Sequence, residues 1–283
     1  MISVISGIAT MRSSEEANKM QVQNFLEFQE CFFRQSLNEK ELVLIEQRKV
    51  GATESAFDGL IDPRAVHEVV YNDRFNSPWV LNIGAKYAYG DILAFIDADV
   101  VFGDDYLQAV VDAMGKSDHP YLHGFDTSYW WSDAGRQMYL DEESHDLQRV
   151  MLEQYTREEL VNRVVIPTPH GNVGLSVICL KDFYFDVVGG HNESIIQGGG
   201  RDNDFAWRVV DKAGEFPLLD YNLCHLWHGG KILGEHNGDI WRFTMKHPGL
   251  VTDEIKRLGV GDVTGPKNHT IEEWESLAEG KNG

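Results

Sequence analysis

The chain has 283 residues, 42% of them hydrophobic and 25% charged, enough to bury one large α/β core or two small ones and too apolar for general disorder. Its 45 acidic and 25 basic residues leave a net charge of −20, which disfavours bulk binding to nucleic acid or to an anionic membrane surface. Cysteines at 31, 179 and 224 make no CxxC pair, which excludes a disulfide framework or a zinc ribbon and points to a reducing compartment.

The opening MISVISGIATMRSS carries too short an apolar run for a secretion signal. No stretch reaches the roughly 18 apolar residues of a membrane span, so a cytoplasmic location is expected. Ile2–Ile8 is short, β-branched and closed by polar residues, a first buried strand. Ser13 with Glu16 forms a capping-box pattern, and Val22, Phe25, Leu26, Phe32 and Phe33 recur near helical spacing. ELVLIE at 41–46 is a second apolar strand, followed by loop residues over 51–64. Strand, helix, strand opens a parallel α/β sheet.

PWVLNIGAKYAY at 78–89 predicts a helix with proline in its first turn, stopped by Gly90-Asp91. Ile92–Ile96 is a strand of continuous apolar character that runs into Asp97-Ala98-Asp99. A helix over 106–114 and a strand over 121–125 follow. Residues 126–162 read as a polar, aromatic, helical insertion. The second half predicts a strand over 172–180, a segment closed by Gly189-Gly190, a loop through Gly198-Gly199-Gly200, a helix over 202–211 and a last strand over 218–227. No linker divides the chain, so residues 1–260 are expected to form one domain, with 261–283 a Gly- and charge-rich tail holding one helical piece begun by Thr270 and Glu273.

Asp97 and Asp99 stand two apart at the end of a buried strand, where alternate side chains of an extended segment point the same way. Two such carboxylates suit a hard divalent cation, Mn²⁺ or Mg²⁺, able to neutralise a diphosphate; a solvated strand-end turn is the plainer alternative. Open α/β sheets bind ligands at that carboxyl edge. Tyr129, Trp130 and Trp131 offer either flat surfaces for sugar rings or anchors for the insertion. Gly199 and Gly200 allow close backbone approach to a ligand, but no GxxxxGK[ST] phosphate loop occurs.

Taken whole, FNSPWVLNIGAKYAYGDILAFIDADVVF at 75–102 resembles nucleotide-sugar glycosyltransferases of the GT-A fold, in which a helix with an Asn-x-Gly pattern precedes a strand ending in a DxD motif. GNVGLSVICLKDFYFDVVGGHNESIIQGGGRDNDFAWRVV at 171–210 resembles the carboxyl-terminal segment of the β-1,4-galactosyltransferase and polypeptide GalNAc-transferase group. LCHLWHGG at 223–230 is similar to that group's strand-end histidine motif. The resemblance implies an α/β GT-A sheet with helices on both faces, and a metal-dependent hexosyltransferase with a UDP-sugar donor and a hydroxyl acceptor. It implies Asp99 as direct metal ligand, Asp97 as water-mediated ligand or ribose contact, and His225 as third ligand, with His228 competing; imidazole favours Mn²⁺ over Mg²⁺.

The same resemblance makes Asp202 the general base of an inverting transfer, although Asp202 also suits a helix cap. It places Thr10, Arg12, Glu46, Arg74 and Asn82 around the nucleotide, Gly199 and Gly200 near the donor, and Trp130, Trp131 and Arg201 near the acceptor. The chain departs from the family at Arg201-Asp202, where Glu-Asp is usual; the reversed charge would suit an acceptor bearing phosphate or carboxylate. The absence of an anchor favours a bacterial or viral enzyme over a Golgi one. Rival readings are a sugar-nucleotide nucleotidyltransferase, opposed by the single glycine in Gly7-Ile8-Ala9-Thr10, and a catalytically silent nucleotide or sugar binder, favoured by Arg201.

Overall fold

The parallel strands that open the chain are apolar on both faces because helices cover both. The structure, a computed structural model, describes residues 1–10, 14–141, 158–168, 173–196, 200–215, 217–228 and 238–281. In chain order the elements are β1 (Ile2–Ile8), α1 (Glu15–Arg34), β2 (Lys40–Arg48), β3 (Val66–Tyr71), α2 (Ser77–Tyr87), β4 (Ile92–Ile96), β5 (Val100–Val101), α3 (Tyr106–Lys116), β6 (Tyr121–His123), β7 (Thr127–Trp131) and α4 (Asp133–Leu140). They continue with β8 (Val161–Val165), β9 (Ser176–Leu180), a π-helical turn (Phe183–Val188), α5 (Arg201–Ala213), β10 (Asn222–His225), α6 (Gly238–Lys246), α7 (Pro248–Leu258) and α8 (Ile271–Lys281).

Six strands form the main sheet in the order β3-β2-β1-β4-β9-β6, with β1 to β4 mutually parallel and β9 antiparallel to β4 and β6. Alternation sorts the side chains into two cores. Ile2, Val4 and Ile8 of β1 face Phe25, Phe28 and Phe32 of α1, whereas Ile5 faces Val80 and Ile83 of α2. Gly84 explains the Asn-x-Gly pattern: a Cβ there would lie 2.4 Å from Ile5 Cγ2, so only glycine lets α2 sit this close to the sheet. Ser14 caps α1 by accepting from the Ala17 amide at 3.1 Å; Ser13, the expected cap, lies outside the described residues.

A second sheet, β5-β10-β7-β8, crosses the end of the first. It corrects the helical reading of residues 126–162: β7 and β8 are strands paired antiparallel, and the helical pieces among the described residues there are α4 and a single 3-10 turn at Glu158–Leu160. Val, Tyr and Trp at 128–131 and 161–165 carry strong strand preference that outweighs the polar pattern around them. The expected helical piece of the carboxyl-terminal tail is α8. Trp274 of α8 is fully buried against Phe243 of α6, and Thr270 and Glu273 cap α8 reciprocally. The three cysteines are buried and free. Among the described residues no helix is long and apolar enough to cross a membrane.

Candidate active site

β4 ends at Ile96, and the Val100 amide donates to the Asp97 carbonyl at 3.1 Å, so Asp97-Ala98-Asp99 is a turn and not an extended continuation of the strand. The turn carries the chain from the main sheet (β4) into the second (β5). The pair therefore does not lie on an extended strand, which corrects that expectation, and the two carboxylates meet different partners, although both line one cleft. Asp97 faces Arg201, while Asp99 faces β10.

Asp99 Oδ1 lies 3.5 Å from His225 Nε2, and Asp99 Oδ2 lies 3.7 Å from His228 Nε2. The Leu226 amide donates to the Asp99 carbonyl at 2.8 Å, tying the turn to the end of β10. One atom from each of these three side chains lies within 4.8 Å of the other two, compact enough for a single divalent ion. Two imidazoles and one carboxylate suit Mn²⁺ or another transition ion better than Mg²⁺.

Arg201 is the first residue of α5, set by Gly200 in the left-handed conformation with Trp241 of α6 packed against it. Its Nη2 donates to Asp97 Oδ1 at 3.1 Å and lies 2.6 Å from Asp202 Oδ1, its Nε donates to Asp202 Oδ1 at 2.8 Å, and its Nη1 donates to Ser77 Oγ at 2.6 Å. The guanidinium thus ties α2, α5 and the Asp97 turn together. Burial pushes the Asp97 carboxyl up to about 6; Arg201 opposes the rise, and the nearby Asp202 and Asp99 add to it. The 35% exposure of the Asp97 side chain leaves it open to the cleft.

Within α5, Asp204 and Arg208 form a fully buried pair at 2.8 Å. Asp204 also accepts from Asn192 Nδ2 and Thr244 Oγ1, so it holds both Arg208 and the loop before α5. A cleft of about 360 Å³ is lined by Asp97, Asp99, Arg201, Asp202, His225, His228, Gly200 and Trp130, with Phe75, Ser77, Leu81 and Phe125 among its other walls. That volume suits a small-molecule site.

Several expected contacts do not reach this cleft. Asn82 is fully buried and donates to the His191 carbonyl and to Glu193 Oε1, while its Oδ1 accepts from the His191 amide and the Tyr184 hydroxyl. Its work is to pin the turn at 191–193, not to touch a nucleotide. Glu46 is buried and bonded to Arg48 and His67; burial pushes its carboxyl up, but these hydrogen bonds outweigh that and bring it down to about 2. Trp131 points into the core against Tyr139. Arg74 is solvent-exposed and precedes the lining residue Phe75, and Thr10 follows the lining residue Ala9. Arg12 and Gly199 lie outside the described residues.

Trp130 does line the cleft, but not as an open platform. His225 stacks on the indole with ring centroids 4.3 Å apart, and the Arg163 guanidinium carbon lies 3.5 Å from the indole centroid. Sequence reasoning missed Arg163 and Ser77. Neither belongs to a motif, and both join the site only through tertiary crossings.

An open sheet with its ligand-lining residues at the carboxyl ends of β1 and β4, and an Asp-His cluster beside them, defines an α/β nucleotide-sugar transferase fold of the GT-A class. The family model Glycosyl transferase family 2 matches residues 22–167, just over half of the chain, and the chain belongs to that family. Among solved structures, S. aureus TarS 1–349 in complex with UDP-GlcNAc aligns with a TM-score of 0.53 at 12% identity, covering 90% of this chain and 71% of that one. S. aureus TarS 1–349 alone gives a TM-score of 0.50 at 12% identity, covering 80% of this chain and 60% of that one. The chain therefore spans only about 60% of the TarS 1–349 chain in that comparison, and the likeness is one of fold. No curated protein matches significantly.

Proposed function

We propose that the chain transfers a hexose from a UDP-sugar to a hydroxyl acceptor with inversion at the anomeric carbon, assisted by a divalent cation, with Mn²⁺ favoured. The observation that carries this reading is that one cleft holds both requirements of the chemistry, the Asp99, His225 and His228 cluster and the Asp202 carboxylate. Membership of glycosyl transferase family 2 supports sugar transfer, and the UDP-GlcNAc complex of S. aureus TarS supports a UDP-sugar donor. A divalent cation bound by Asp99, His225 and His228 supplies positive charge to a departing diphosphate.

Asp202 takes the proton of the acceptor hydroxyl as that oxygen bonds to the anomeric carbon and the bond from that carbon to the UDP oxygen breaks. One of its oxygens faces Arg201; the other packs toward Gly174, where a Cβ would lie 3.0 Å from it. Arg201 fixes the carboxylate's orientation before substrate arrives. Because each of its three nitrogens is engaged by Asp97, Asp202 or Ser77, its first role is internal, ahead of any anionic acceptor.

Calorimetric titration of UDP tests the donor site: binding is expected with Mn²⁺, and is expected to vanish with EDTA and in Asp99→Asn. Asp202→Asn should bind UDP as wild type does, while release of UDP from UDP-hexoses falls by about 10²–10⁴-fold. Failure of UDP to bind in the presence of Mn²⁺ would overturn the donor reading. A second reading, a silent nucleotide-sugar binder, draws on the occupation of Asp202 by Arg201; UDP binding without any turnover of UDP-hexoses would favour it.

A further inference from the structure

The strands flanking His225 impose an order on the site that no motif records, and its meaning rests on reading Asp99, His225 and His228 as cation ligands. In β10, His225 is in register with Val100 of β5 on one side and with Trp130 of β7 on the other. Trp130 in turn is in register with Arg163 of β8. Residues in register on neighbouring strands project from the same face of a sheet, about 4.7–4.9 Å apart. The planar groups follow that spacing: imidazole and indole stack at 4.3 Å with their planes 20° apart, and the guanidinium lies 3.5 Å from the indole centroid. Since β10 and β8 lie on opposite sides of β7, the indole has His225 on one face and Arg163 on the other.

We propose that Trp130 is a positioning residue for the cation site, fixing the plane of the His225 imidazole so that Nε2 stays aimed at Asp99, with Arg163 clamping the indole from outside. Rotation about the last side-chain torsion of a histidine is broad and poorly restrained by itself. A flat partner in van der Waals contact removes that freedom, and the His228 ring also meets the imidazole edge-on, with centroids 5.1 Å apart. The ligand is thereby ordered before the cation arrives, which lowers the ordering cost of binding. Outer-shell partners of metal-bound histidines typically change metal affinity by about 10–100-fold. This role also explains why a tryptophan that lines the cleft has no open face for a sugar ring.

The test is Mn²⁺ alone, titrated into the full chain and followed by the electron paramagnetic resonance of free Mn²⁺, with the thermal midpoint of each variant recorded in EDTA. Trp130→Phe, which keeps a flat face, should bind within about 3-fold of wild type, whereas Trp130→Leu and Trp130→Ala should weaken binding by about 10–100-fold. Arg163→Gln should weaken it by a few-fold, in line with loss of roughly 0.5–1 kcal/mol from an exposed cation–π contact. Trp130→Leu keeps apolar volume, so it decides the matter if Trp130→Ala does not fold. A folded Leu variant that binds Mn²⁺ as wild type does overturns the positioning role and leaves the cation site standing. A wild-type chain that takes up no Mn²⁺ removes the cation reading and this role with it.

Discussion

Arg201 places a permanent positive charge beside Asp97 and Asp202 and near Asp99, where a divalent cation is proposed to bind. Burial alone would lower its affinity for a proton, but the two carboxylates outweigh it and keep the guanidinium charged. A cation entering the cleft is repelled by Arg201 and attracted by the carboxylates it neutralises. Arg201→Gln is therefore expected to bind Mn²⁺ about 5- to 30-fold more tightly, the effect of roughly 1–2 kcal/mol from one nearby charge at an effective dielectric of about 20. The same variant should have a lower thermal midpoint in EDTA, because Asp97 and Asp202 lose their counter-charge, and Mn²⁺ should raise that midpoint more than in wild type. Equal Mn²⁺ affinities would show that the arginine does not act on the cation. Nothing in the Arg201-Asp202 dipeptide foretells the bond to Asp97, 104 positions away, because that bond depends on where α5 meets the end of β4.

At the scale of elements, α5 is held by its buried pair. Asp204 and Arg208 are both fully buried, and Asp204 also receives Asn192 and Thr244. Removing one partner leaves a buried charge uncompensated, so Asp204→Asn is expected to cost about 3–5 kcal/mol in denaturant unfolding. Because α5 begins at Arg201, it should also loosen Asp202, the proposed base. A loss under about 1 kcal/mol would mean that Arg208 finds another acceptor. The helix that carries Asp202, Asp204 and Arg208 was readable from its sequence, and so were β1, β2 and β4 from their continuous apolar runs. β3, VHEVVY, was not, because an edge strand keeps polar residues and lacks that signature. β7 and β8 were hidden for another reason: each is a five-residue run of strand-favouring side chains inside a longer polar stretch, and the pairing of β7 with β8 and β10 is tertiary. The metal candidates Asp99, His225 and His228 were legible as motif residues. The ladder through Trp130 was not, since it follows from register alone.

At the scale of the whole molecule, the carboxyl-terminal part carries an acid-sensitive contact that ties α7 to the segment leading into α8. Glu254 of α7 pairs with Arg257 at 2.5 Å and receives His269, just before α8, at 2.8 Å. The Arg257 hydrogen bond is the main cause that brings the Glu254 carboxyl down to about 2; burial opposes it and His269 adds to it. A depressed carboxylate contributes stability that is present above its unfolded value near 4.5 and is lost as pH falls toward about 2. Unfolding followed from pH 6 to pH 2 should show that loss in wild type, on the order of 2 kcal/mol after allowance for screening of the exposed Arg257. Glu254→Gln should be less stable at neutral pH and show a flatter acid limb. Identical acid limbs would remove Glu254 from the account.

The two cores on either side of the main sheet divide the site between them. His225 ends β10 and Asp99 lies in the turn before β5, and their chain neighbours Val100, Leu223, Cys224 and Leu226 belong to the core beneath α1. Asp202 rides on a helix whose Phe205 and Val209 belong to the core beneath α2. The cation cluster and the proposed base therefore take their placement from separate sets of packed side chains. Substitutions that drift through one core can retune ion affinity with little effect on proton transfer, and drift through the other can do the reverse. Such a chain can change the two halves of its chemistry one at a time over evolutionary descent.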